Sequence, residues 1–147
     1  MFKHILVPTD GSELSNKAVK QAIEFAKAVG ARVTGFHVTP EFPLVAYSDW
    51  GPIDPITESR FREEAEKQAE KLLAAFKEQA QAAGVACDTR NKTSDRPYEA
   101  IIDAALEQGC DLIFMASHGR RGLAGLLMGS ETTKVLTHST IPVLVYR

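Results

Sequence analysis

Asp10 and the run "SHGRRGLAGLLMGSET" (117–132) hold the residue types in this chain best suited to grip a charged ligand. Glycines 119, 122, 125 and 129 fall within fourteen residues, and the pattern turns helical from Gly129 or Ser130 onward. A helix starting there leaves its first N–H groups without intrahelical partners and places the positive end of its dipole at the same point, which suits a phosphate. Gly129 has no Cβ to keep an anion off the main chain, Ser130 adds a hydroxyl, and Gly119 is equally open on the other side of the loop. The alternative is loop punctuation, in which several glycines take positive φ and bind nothing. Standard phosphate signatures are missing. Gly129 runs directly into Ser130 without the Walker lysine, and neither Gly-x-Gly-x-x-Gly nor Gly-x-Ser-x-Gly occurs in the run.

Other polar residues compete for chemical roles. His37 and His118 lie near the same region, but no carboxylate or nucleophile is placed beside them by sequence, so they read as core or turn histidines. Arg120 and Arg121 either reach phosphates or are solvated charges. Asp10 either binds ligand or caps the helix that follows it.

The elements that must position these residues alternate. Strand-like runs occur at 4–9, 32–38, 85–91, 111–117 and 142–147, and those nearest the glycines are almost continuously apolar, as strands buried on both faces should be. Leu14, Ala18, Ala22, Phe25 and Val29 keep helical spacing, as do Phe61, Ala65, Leu72, Phe76, Ala80 and Ala83 within a charged helix over 58–83. Gly30 and Gly84 suit left-handed helix ends, a third helix should run from near Pro97 to Gly109, and Glu63 and Lys67 are spaced for an i,i+4 pair. Strand alternating with helix predicts one doubly wound α/β domain over 1–147, a parallel sheet with helices on both faces. Ligands of such sheets sit beyond the carboxyl ends of the strands, so Pro8, Thr9, Asp10, Gly11 and Ser12 should face Met115 to Gly119 across one crevice. The segment 39–59, with four prolines, Tyr47 and Trp50, breaks the rhythm and reads as a lid or interface segment.

Composition narrows the function classes. A net charge of -2 leaves no basic footprint for nucleic acid or an anionic membrane. No apolar stretch approaches the roughly 18 residues of a membrane span, and the apolar run before Pro8 is too short for a signal peptide, so a cytoplasmic protein is expected. Cys87 and Cys110 have no metal-ligand or redox spacing and are expected to be buried thiols.

The stretches "ILVPTDGSE", "FHV" and "MASHGRRGLAGLLMGSETTKVLTHSTIPVLV" together resemble the universal stress protein family along the whole chain. Its ATP-binding branch carries Gly-x2-Gly-x9-Gly-[Ser/Thr]. Counting back from the helix start places Gly129-Ser130 and Gly119 in that motif and Ala116 where the first glycine belongs. The resemblance implies sheet order 3-2-1-4-5 and ATP, or AMP or ADP, with Mg²⁺ held through phosphate oxygens and water rather than by side chains. It further implies that Pro8, Thr9 and His118 line the site and that Asp10 accepts hydrogen bonds from the ribose. Val38 and Met115 would flank adenine, Ala116 would lie along the sugar, and Gly119, Gly129, Ser130 and the Glu131 N–H would hold the phosphates. A homodimer through the last strand, "PVLVYR", follows from the same order, since that strand would be an apolar edge. If the position of Ala116 required positive φ, the alanine would be strained by on the order of 1 kcal/mol.

Three functions are compatible with these readings: a regulatory module that holds ATP, a slow ATPase, and a dimeric interaction protein that has lost its nucleotide. The second needs a base and a firm metal ligand, and Asp10, the only acid placed near the crevice, is claimed by the ribose. A receiver domain of the same sheet order is set aside because the first strand ends in one Asp rather than an acidic pair. Retention of Gly119 and Gly129-Ser130 favours nucleotide binding.

Overall fold

The computed structural model describes residues 1–43, 55–120 and 128–147. Along the chain come β1 (His4–Pro8), α1 (Glu13–Val29), β2 (Arg32–Thr39), α2 (Pro55–Ala82), β3 (Cys87–Thr93), α3 (Pro97–Glu107), β4 (Leu112–Ala116), α4 (Ser130–His138) and β5 (Val143–Tyr146). The strands form one parallel sheet in the order 3-2-1-4-5. The order reverses between β1 and β4, which opens a crevice at their carboxyl ends.

Period-two alternation in the strands feeds two cores. Ile5, Val7 and Phe114 point toward α1 and α2, where Ala18, Ala22, Phe76 and Ala80 cover them. Leu6, Phe36, Ile113 and Met115 point the other way, toward Ala100 and Ala104 of α3 and Val135 of α4. The close seating of α2 depends on Gly35, because a Cβ there would stand 2.5 Å from the Phe76 ring. Helix ends follow local chemistry. Ser12 accepts the Ser15 N–H at 3.3 Å to cap α1, and Gly30 closes that helix at φ 72°.

Several boundaries differ from the sequence expectation. β3 begins at Cys87 rather than Val85, because the Val85 N–H closes α2 by donating to Ala80 O at 2.9 Å. α2 begins at Pro55, a residue tolerated in a first turn, so the proline-rich connection is shorter than expected at its carboxyl end. The i,i+4 ion pair seen on α2 is Glu58–Arg62 at 2.6 Å rather than Glu63–Lys67; exposed pairs of this kind differ little in energy. Cys110 is buried and its thiol is pushed up to about 11, mainly by that burial, whereas Cys87 is only half-buried; both are free. Tyr47, Trp50, Arg121, Gly122 and Gly125 lie outside the described residues. Among the described residues, no helix is long and apolar enough to cross a membrane.

His4 makes the fold sensitive to acid. It is 8% exposed, and its Nε2 lies 2.7 Å from Thr34 Oγ1. Burial, aided by the positive charge of Arg32, holds its pKa below the ordinary value against the opposing pull of the Gln108 carbonyl, Asp111 and Asp88. The unfolded chain therefore binds a proton more readily than the native one. The stability contributed by neutral His4 is complete above the unfolded pKa of about 6.5 and is lost as pH falls through the lower native value. Thermal melts of wild type and His4→Gln should accordingly converge between pH 7 and pH 5. A difference that stays constant across that range would exclude His4 as the sensor.

Candidate functional site

The exit of β1 is tightly tied. Pro8 ends the strand opposite Phe36, and the Thr9 N–H donates to Phe36 O at 2.8 Å. Thr9 O lies 2.9 Å from His37 Nδ1, and the buried Thr9 hydroxyl accepts from Ser15 Oγ at 3.0 Å. These contacts brace the turn at Thr9, with His37 on one side and Ser15 on the other. Gly11 takes φ 77°, with Leu72 of α2 and the Arg120 guanidinium so close that a Cβ there would be crowded. Asp10 is the group this turn presents. One carboxylate oxygen accepts the Ser12 N–H at 2.9 Å, and the other accepts the Arg120 N–H at 2.9 Å from across the crevice. Burial pushes its pKa up, but these hydrogen bonds and the charge of Arg120 outweigh burial and leave it below the ordinary value. Asp10 is therefore ionised at neutral pH. Each oxygen has two acceptor sites, so capacity remains for further hydroxyl donors.

The exit of β4 meets it. Gly119 abuts the Asp10 carboxylate, and a Cβ at 119 would overlap Oδ2. Glycine is needed here for close approach and not for handedness, because neither Gly119 nor Gly129 has positive φ. The same holds for Ala116, which closes β4 without positive φ and is 8% exposed in the core beneath α1. Alanine there carries no backbone strain. Met115 and Val38 both pack on the α3 and α4 side of the sheet, Met115 buried and Val38 half-buried. His118 is half-exposed, with Nδ1 3.3 Å from Ser117 Oγ.

The glycine-rich excursion is clasped at its stem. The Gly129 N–H donates to Ser117 O at 2.6 Å, and Thr132 Oγ1 donates to Ala116 O at 3.0 Å. A Cβ at 129 would stand 3.2 Å from the His118 Cα, tight enough that the neighbour would have to shift by a few tenths of an ångström. Gly129 is the N-cap of α4 and offers no side-chain cap, and the first regular bond is Thr133 N–H to Gly129 O at 3.0 Å. No described residue accepts from the N–H groups of Ser130, Glu131 and Thr132, which stand at the positive end of the helix dipole. The Glu131 carboxylate is directed elsewhere, accepting the Tyr98 N–H at 2.9 Å.

Among the sequence-derived candidates, the fold brings Asp10 to Gly119, Gly129 to Ser117 and His118, and Val38 and Met115 into one apolar cluster. The main chain of Arg120, the Thr132 hydroxyl and Tyr98 were not legible beforehand, because their partners lie 110, 16 and 33 residues away. Among the described residues, no three His, Cys, Asp or Glu side chains gather as a metal would need. A depression of about 430 Å³ at the amino-terminal end of β1 and β2 is lined in part by Lys3, Lys27 and Arg32. It also includes the closing glycines of α1 and α2, Gly30 and Gly84.

Fold and crevice define a doubly wound α/β protein in which a helix with a glycine N-cap starts at the topological switch point. The family model described as the universal stress protein family matches residues 1–147, and the chain belongs to that family. It is 35% identical to universal stress protein YxiE of Bacillus subtilis, with all of both chains covered. The solved structure of MJ0577, a universal stress protein of Methanocaldococcus jannaschii, superposes with a TM-score of 0.81 at 29% identity, covering 99% of this chain and 95% of that one. A universal stress protein in complex with cAMP has the same fold, with a TM-score of 0.72 at 23% identity and 99% and 97% coverage. The fold is also that of an Archaeoglobus fulgidus relative in complex with dAMP and of an Arabidopsis thaliana relative with AMP bound.

Proposed function

We propose that this protein binds ATP at the carboxyl ends of β1 and β4 and acts as a stress-response regulator through nucleotide occupancy. The observation that carries this reading is the first turn of α4, where three N–H groups lack acceptors among the described residues beside a glycine N-cap. Phosphates would take those donors together with the Ser130 hydroxyl. The ionised Asp10 would accept from the ribose, and the apolar surface of Val38 and Met115 would receive the base. Mg²⁺, when bound, would add charge neutralisation through phosphate oxygens and water. The adenine nucleotides held by relatives of this fold are in keeping with the reading. The purified protein, denatured and resolved by chromatography, is expected to release an adenine nucleotide, or to bind added ATP by calorimetry if purified empty. Failure of both would reject it.

The proposal extends to a cytoplasmic homodimer. β5 is an edge strand whose four residues are only half-buried, and a two-fold mate would pair its open edge. Light scattering at tens of micromolar should return twice the chain mass; a monomer would overturn this.

A further inference from the structure

Resting on the nucleotide reading above, we infer that Glu131 is a positioning residue, whose side chain ties the phosphate-accepting helix α4 to the start of α3. The tie answers a local deficiency in α3. Its N-cap, Arg96, makes no side-chain cap bond, Pro97 has no N–H, and the first regular bond is Ala100 N–H to Arg96 O at 3.1 Å. The Tyr98 N–H would be orphaned, and Glu131 Oε2 accepts it at 2.9 Å from 33 residues away. The other oxygen of Glu131 pairs with Lys134 Nζ at 3.3 Å, and that ammonium lies 5.4 Å from the Tyr98 ring centroid. One turn further, the His138 ring is tilted against Tyr98 at 5.2 Å. Residues 131, 134 and 138 lie on one face of α4, so the helix is fastened along its length to a single residue of α3. On its other side, Thr132 bonds β4 and Val135 is fully buried.

Two consequences reach the site. The first turn of α4 is held from both sides, so its three N–H groups that lack acceptors among the described residues keep a common direction without an internal cap. A carboxylate in that turn would also repel a phosphate, yet here its charge faces the positive end of α3 and Lys134. Glu131 thereby keeps its charge occupied while leaving its own N–H available.

The test combines amide exchange on the nucleotide-free protein with ATP calorimetry for wild type, Glu131→Ala and Glu131→Gln. Glu131→Ala should speed exchange at Tyr98 and at residues 130–133 and weaken ATP binding about five- to ten-fold, the scale of a lost helix cap. Glu131→Gln keeps an acceptor oxygen and should restore both to within about two-fold. Unchanged exchange in Glu131→Ala, or ATP binding as tight as in wild type, would overturn the inference. If wild type binds no ATP, the nucleotide reading fails. The exchange arm still decides whether the tie exists.

Discussion

Gly129→Asp is expected to abolish ATP binding, with affinity falling at least about 100-fold, while the circular dichroism spectrum stays that of wild type. Asp is among the best N-cap residues, and at this position its carboxylate would accept the first-turn N–H groups that the nucleotide reading gives to phosphate. The variant would fill its own anion site and add a like charge beside it. The new Cβ would also stand 3.2 Å from the His118 Cα and 3.3 Å from Ser117 O, so the clasp at the loop stem must shift by a few tenths of an ångström. The cap gained offsets part of that crowding, which is why the fold should persist. Calorimetry showing undiminished affinity in a folded variant would remove the phosphates from α4. Gly129→Ala separates the two effects, because it introduces the crowding without the charge or the cap and should weaken binding far less.

The largest effect on stability is expected from Phe76→Ala. Phe76 is 1% exposed, packs closely against Gly35 and joins α2 to the core over β1 and β2. Truncating such a ring costs about 3–5 kcal/mol because the cavity collapses only partly. In a domain of this size, that lowers the thermal midpoint by roughly 6–20 °C. Gly35→Ala attacks the same contact from the sheet side, and the two losses should be less than additive when combined, since removing the ring makes room for the methyl group. A Phe76→Ala melt within about 3 °C of wild type would mean that α2 is held by other contacts.

The two variants mark different depths of legibility. Helical spacing placed Phe76 on an inward face, but only the packed structure pairs it with Gly35, 41 positions earlier in the chain. The same division runs through the site. A glycine before a helical pattern was enough to read a helix start at Ser130, because unpaired N–H groups are a local property of any helix end. The need for glycine at 119 was not readable, because it is imposed by the Asp10 carboxylate across the crevice.

By itself, the sequence determined the alternation of strand and helix and the left-handed ends at Gly30 and Gly84. These depend on neighbours within a few residues, where periodicity, caps and turns are decided. Tertiary structure alone decided that the Thr9 hydroxyl accepts from Ser15 within the turn and that Ala116 sits unstrained in the core. It also decided that the Arg120 N–H holds Asp10 and that Glu131 spends its carboxylate on α3. Each of these hydrogen bonds or core contacts brings together different parts of the fold, and local spacing carries no signal for a partner that only packing brings within reach.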